Sequence, residues 1–196
     1  MTYRFAIMLG IIGLLGLNVN GDNSSVKVGA NAPAFTVQDQ EGRNVTLRDS
    51  IGKIVVLEWY DPECEYTKRD IAAVTSKTLS EKYKDKGVVW LAVNSTRDGS
   101  GERNKAWIAQ NHWSFNVLHD ANQAVAKAFG VNSVPYFVII DKNGGIAYLG
   151  VGDNDDSRDG GKKEGKINYI DKALEEMIAG KPVSLRDARA YGCPLR

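Results

Sequence analysis

Seven consecutive residues, Ile54-Val-Val-Leu-Glu-Trp-Tyr60, constrain the fold more than any other stretch of the chain. The run is too continuously apolar for a strand with one wet face. It reads as a strand over 53–60 covered on both sides, which is the habit of strands inside α/β sheets. A second such strand, VVWLAVN, follows at 88–94, and the intervening residues carry helical spacing that stops at Gly87. We therefore expect one helix from about Cys64 to Gly87.

The remaining elements keep the alternation. Residues 34–48 have alternating character around Glu41-Gly42 and predict a β-hairpin. SGERNKAWIAQNH predicts a helix capped by Ser100, with Glu102 in its first turn. A short strand over 115–119 and a helix ending at Gly130 come next. VPYFVIIDKNGGIAYLGV predicts a hairpin turning at Asn143-Gly144. Ile167, Ile170, Ala173, Leu174 and Met177 lie at helical spacing, and Gly180 stops that helix. The sum is an α/β domain with a mixed sheet flanked by helices and an N-terminal β-hairpin.

Length and charge bound the function. A chain of 196 residues suits one well-cored domain rather than two. A formal net charge of +1, from 25 basic and 24 acidic residues, offers no footprint for nucleic acid or an anionic membrane. Residues 1–21 open with one arginine, continue with an apolar run over 5–17 and end in small and polar residues, the pattern of a secretory signal peptide. That run is shorter than the roughly 20 residues needed to span a membrane. The expected organisation is a signal over 1–21, a linker over 22–32, a domain over 33–181 and a tail over 182–196 carrying Cys193. A secreted or periplasmic protein is implied, without stable membrane insertion once the signal is cleaved.

Two residues bear the chemistry. Cys64 follows the Asp61-Pro62 turn at the head of a helix, where unpaired N–H groups and the helix dipole favour a thiolate. Lys68 and Arg69, one turn on, would add to this, while Asp61, Glu63 and Glu65 would oppose it. Glu58 is a carboxylate inside an apolar strand; it must find partners or hold its proton, and such an acid near a thiol can relay protons. Trp59 and Tyr60 flank the turn and could form an apolar substrate wall or pack in the core. His112 and His119 have no ligands at metal spacing. In the stretch from Asp155, Lys166 stands where a calcium loop needs a glutamate. Neither a metal nor an organic cofactor is implied.

These residues also carry a family resemblance. A strand, a turn and a cysteine at the head of a helix, followed later by Val134-Pro135, resemble the thioredoxin fold. VVLEWYDPEC, VPYFVIIDKNG, LGVGDND, ALEEMIAGKPV and YGCPLR together resemble the thioredoxin-like branch of the alkyl hydroperoxide reductase and thiol-specific antioxidant proteins, over about residues 28–196. The resemblance implies a cis bond at Pro135, with Val134 and Pro135 beside Cys64 and Glu58 as the buried acid. It implies thiol chemistry on protein or small-molecule disulfides or on peroxides, with a thiol-reducing partner for turnover. The chain departs from the pattern where Thr67 replaces the second cysteine of Cys-x-x-Cys. Cys193, in a tail expected to be mobile, could resolve the product, form a permanent bridge with Cys64 or stay unpaired.

Overall fold

The computed structural model describes residues 26–73, 75–157 and 163–196. The segment read as a signal lies outside them. So do residues 158–162 of the stretch tested as a calcium loop. Among the described residues, no helix is long and apolar enough to cross a membrane.

The chain begins with a hairpin of β1 (Thr36–Gln38) and β2 (Asn44–Thr46). The strand β3 (Ile54–Tyr60) is buried along its whole length. It is followed by α1 (Glu65–Ala72), α2 (Thr75–Tyr83), β4 (Val88–Asn94), α3 (Gly101–Asn111) and β5 (Asn116–His119). Next come α4 (Ala124–Ala128), β6 (Ser133–Val134), β7 (Tyr136–Ile140), β8 (Ile146–Gly150) and α5 (Tyr169–Ile178). A last short strand, β9, is Cys193–Pro194. The main sheet runs β5-β4-β3-β7-β8. Strand β3 pairs parallel with β4 and antiparallel with β7, so the sheet is mixed and β3 is central.

Side-chain alternation along β3 feeds two cores. Val55, Leu57 and Trp59 join Leu118, Phe129 and Val138 on one face. Ile54 and Val56 join Trp90, Ile139, Tyr148, Ile170 and Leu174 on the other. Each fully buried large side chain contributes about 1.5–3 kcal/mol, so this strand is the main apolar anchor of the fold. Helix α5 buries Ile170, Ala173 and Leu174, three of the five positions whose spacing defined it.

Several local expectations hold in detail. Ser100 caps α3, its Oγ accepting from the Arg103 N–H at 3.2 Å. At the Asn143-Gly144 turn, Gly144 takes φ +88°, while Asp141 Oδ1 accepts from the Asn143 and Gly145 N–H groups.

Three expectations change. The helix read as one stretch is two. Ala73 is the C-cap that closes the first, and the halves bury different surfaces: Thr67, Arg69 and Asp70 on α1, but Leu79 and Tyr83 on α2. The described end of the linker is docked, since Gly29 N–H donates to Ile146 O and Ala32 N–H to Gly144 O. The tail is not mobile either. Val134 pairs with Cys193 and Ser133 with Pro194 in a two-stranded ladder. Gly192, at φ +134°, lies so close to this ladder that a β-carbon there would fall 2.1 Å from Val134 O, which excludes larger residues.

Candidate active site

Residue Cys64 occupies the N-cap position of α1, with extended backbone (φ −77°, ψ 126°). Its N–H donates to Asp61 O at 3.0 Å, and its carbonyl accepts from the Lys68 N–H at 2.9 Å. The thiol thus sits at the positive end of the helix, as the turn before it predicts. It is 2% exposed. A disulfide joins it to Cys193, with the Cα atoms 5.8 Å apart and 129 positions between them in sequence. Cys64 Sγ lies 3.4 Å from Val134 O, and the Val134–Pro135 bond is cis. Four of the expected site residues, Cys64, Cys193, Val134 and Pro135, are therefore in one place.

The other candidates fall elsewhere. Thr67 is buried one turn into α1, and its Oγ1 accepts from the Asp61 N–H at 3.5 Å. Trp59 and Tyr60 are each 0% exposed, which removes them as a substrate wall. Trp59 packs on Phe129, and Tyr60 stacks on Trp107 and meets Trp113 edge-on. Both faces of β3 are covered, so neither ring reaches a groove. Lys68 and Arg69 do not serve the sulfur as expected. Lys68 Nζ pairs with Glu65 at 2.9 Å, and Arg69 turns into a buried acidic cluster.

Glu58 is 3% exposed. It accepts from Ser76 Oγ at 2.6 Å and from Trp90 Nε1 at 2.7 Å. Burial pushes its carboxyl up to about 7, against these two hydrogen bonds and helped by the charge of Asp70. Its neighbours place it on the α2 face of β3, whereas Cys64 belongs to the core on the opposite face. Its hydrogen bonds thus reach neither sulfur.

This acid makes stability depend on pH. Between its ordinary value of 4.5 and about 7, the folded chain holds a proton that the unfolded chain has released. The contribution is complete below 4.5 and is lost as pH rises through about 7, a fall of up to about 3 kcal/mol. Glu58→Gln should flatten that fall when unfolding in urea is compared at pH values across the window. Equal slopes in the two proteins would remove Glu58 as its source.

Residues that sequence reasoning did not assign to the site hold the tail around Cys193. Arg69 Nη2 lies 2.8 Å from Asp70 and 3.4 Å from Asp153, and Nη1 donates to the carbonyls of Asp155 and Ser157. The same guanidinium donates to Tyr191 Oη at 2.9 Å, and the Tyr191 hydroxyl donates to Asp153. Lys166, the residue that breaks the calcium pattern, places its own ammonium 2.9 Å from Asp153 and 3.6 Å from Asp155. Beyond Cys193, the Leu195 N–H donates to Asn132 O at 2.9 Å. Arg196 meets the buried Asp61 carboxylate at 2.8 Å. The one sequence signal for the cluster is Arg69-Asp70, adjacent charges in a helix that must bury one face.

The chain is similar to several known proteins. Residues 28–149 match the AhpC/TSA family. The thiol-disulfide oxidoreductase ResA of Geobacillus thermodenitrificans is 30% identical over 151 residues, covering 74% of this chain and 84% of that protein. ResA of Bacillus anthracis is 27% identical over 157 residues, or 78% and 88% of the two chains. Among solved structures, an uncharacterized conserved protein of Geobacillus kaustophilus superposes with a TM-score of 0.75 at 27% identity, covering 88% of this chain and 93% of its own. A Sinorhizobium meliloti protein superposes with a TM-score of 0.76 at 24% identity, which supports the fold alone. With a thioredoxin-like sheet, a cysteine at the head of α1 and a matching segment longer than half its length, the chain belongs to the AhpC/TSA family as a thioredoxin-fold thiol oxidoreductase.

Proposed function

We propose that this protein is an exported oxidoreductase in which Cys64 is the nucleophile and Cys193 the resolving thiol. The observation that carries the reading is the Cys64–Cys193 bond beside cis-Pro135, formed where Thr67 has replaced the nearer thiol partner. On a disulfide, the Cys64 thiolate attacks one sulfur, forms a mixed disulfide and releases the other half as a thiolate. On a peroxide, it attacks an oxygen, the O–O bond breaks, and a sulfenic acid forms with release of hydroxide or alkoxide. Cys193 then attacks Cys64 Sγ, expels the bound thiolate or water, and leaves the intramolecular disulfide. An external thiol reductant supplies two electrons to reopen it.

Val134 and Pro135 shape the groove beside the sulfurs. Thr67 holds the turn through Asp61 N–H and so shapes the same end of the groove. The proton relay expected of Glu58 is left out of this reading, because its hydrogen bonds end at Ser76 and Trp90 on the face of β3 opposite Cys64. Substrates are protein or small-molecule disulfides or peroxides. Nucleic acid and a resident cofactor have no part in the reading. Export rests on residues 1–21 and is checked by the N-terminus of the secreted protein.

A redox-buffer titration with thiol labelling tests the mechanism. The expected midpoint lies between about −120 and −230 mV, among exchange catalysts. Cys64→Ser should abolish turnover of both disulfides and peroxides. Cys193→Ser should leave a trappable mixed disulfide or a dimedone-reactive sulfenic acid. A midpoint below about −300 mV would instead mark a structural bridge. The burial of Cys64 and the anchoring of the tail on both sides of Cys193 favour that second reading.

A further inference from the structure

The tail brings more than a sulfur to Cys64. Asp61 opens the strand–helix turn, and its carbonyl accepts the Cys64 N–H. Its side chain is 2% exposed, and a negative charge three residues before the cysteine opposes a neighbouring thiolate. Oδ1 accepts from the Glu63 N–H at 2.8 Å. Oδ2 accepts from Arg196 Nε and Nη2 at 3.0 and 2.8 Å. The backbone of Arg196 is held for this contact, because its carbonyl accepts from the Arg97 N–H at 3.2 Å and from Gln123 Nε2 at 3.1 Å.

Resting on Cys64 as the nucleophile, we infer that Arg196 is a positioning residue that raises the thiolate share of reduced Cys64 by masking the charge of Asp61. The charged and titratable groups around this end of α1 bear on the sign. The turn contributes Asp61 and Glu63, and α1 contributes Glu65, Tyr66, Lys68 and Arg69. Arg97 and Asp98 follow β4, and the tail supplies Tyr191 and Arg196. Val134 and Pro135 add no charge. Lys68 is already drawn to Glu65 and Glu63, and Arg69 is enclosed by Asp70, Asp153 and Asp155. Arg196 is the cation bonded directly to Asp61. A docked tail therefore presents the resolving sulfur and, in the same movement, favours the reactive form of the nucleophile.

The test uses the full chain carrying Cys193→Ser, which leaves Cys64 as the single remaining one of its two cysteines. Iodoacetamide alkylation is timed against pH at low salt. Adding Arg196→Gln should slow alkylation about threefold at neutral pH. It should shift the pH midpoint upward and leave the alkaline plateau unchanged. Adding Asp61→Asn to that protein should return the midpoint to its starting position. Arg196→Lys, which keeps the charge, should hold the midpoint and serves if the glutamine variant folds poorly. A midpoint unmoved by Arg196→Gln would overturn the inference. So would a faster plateau at an unchanged midpoint, which is the mark of simple uncovering of the sulfur. Because alkylation needs no turnover, an absence of oxidoreductase activity would defeat the proposed function without touching this result.

Discussion

Reducing the Cys64–Cys193 bond is expected to lower the free energy of unfolding by as much as about 5 kcal/mol at 25 °C, from the chain-entropy model of cross-linking. The reason lies in the 129 positions separating the two cysteines. A closed loop of that length removes many conformations from the unfolded chain and few from the folded one. Urea unfolding with and without reductant, with Cys193→Ser as the thiol-free control for the tail, measures the effect. By linkage, what the bond adds to the fold the fold returns to the bond. A gain of about 5 kcal/mol makes the bond about 100 mV harder to reduce than in the unfolded chain. A loss below about 1 kcal/mol would show that residual structure already restricts the reduced, unfolded chain. The bond would then be free to cycle at little cost to the fold.

Replacing Arg69 by alanine should cost about 3–5 kcal/mol at neutral pH, in the range found when one partner of a buried ion pair is removed. The guanidinium is the buried cation against which Asp70, Asp153 and Asp155 are packed. Lys166, half exposed, reaches Asp153 and Asp155 from the solvent side. Burial already pushes Asp70 up to about 6, with the charge and hydrogen bonds of Arg69 pulling the other way. Without Arg69, that carboxyl must climb further or remain charged without its partner. The deficit should therefore shrink in acid, as the carboxyls take up protons. A loss under about 1 kcal/mol, flat with pH, would mean that water fills the space and solvates the acids. Because Tyr191 hangs from the same guanidinium, Arg69→Ala should also slow closure of the Cys64–Cys193 bond in the reduced protein.

The residues differ in how openly the sequence announces these features. Ser100, Asn143-Gly144 and the strand β3 were legible because each is fixed by neighbours within a few positions. Cys64 at the head of α1 was legible for the same reason, and Glu58 stood out as an acid in an apolar run although its partners lie 18 and 32 positions away. Pro135 became legible through family resemblance. What escaped reading is joined across long separations. Arg69 reaches partners 84 and 122 positions away, and Arg196 meets Asp61 across 135. A ladder of two residue pairs, β6 with β9, leaves no periodic trace. Trp59 and Tyr60 show a subtler limit. Along a strand buried on both faces, alternation no longer distinguishes an inward ring from one that could meet a substrate.

The bond between Cys64 and Cys193 also changes the connectivity of the molecule. Every described element from α1 to the start of β9 lies on a covalent ring, while β1, β2 and β3 precede it. A protease cut at the exposed Asn143 turn would open that ring without dividing the oxidised protein. The two pieces would migrate as one on a non-reducing gel and part once thiol is added. The central strand of the sheet is thus anchored at its carboxyl end to a loop that returns through the last residues of the tail. A chain broken in its middle would remain one molecule for as long as its sulfurs stay joined.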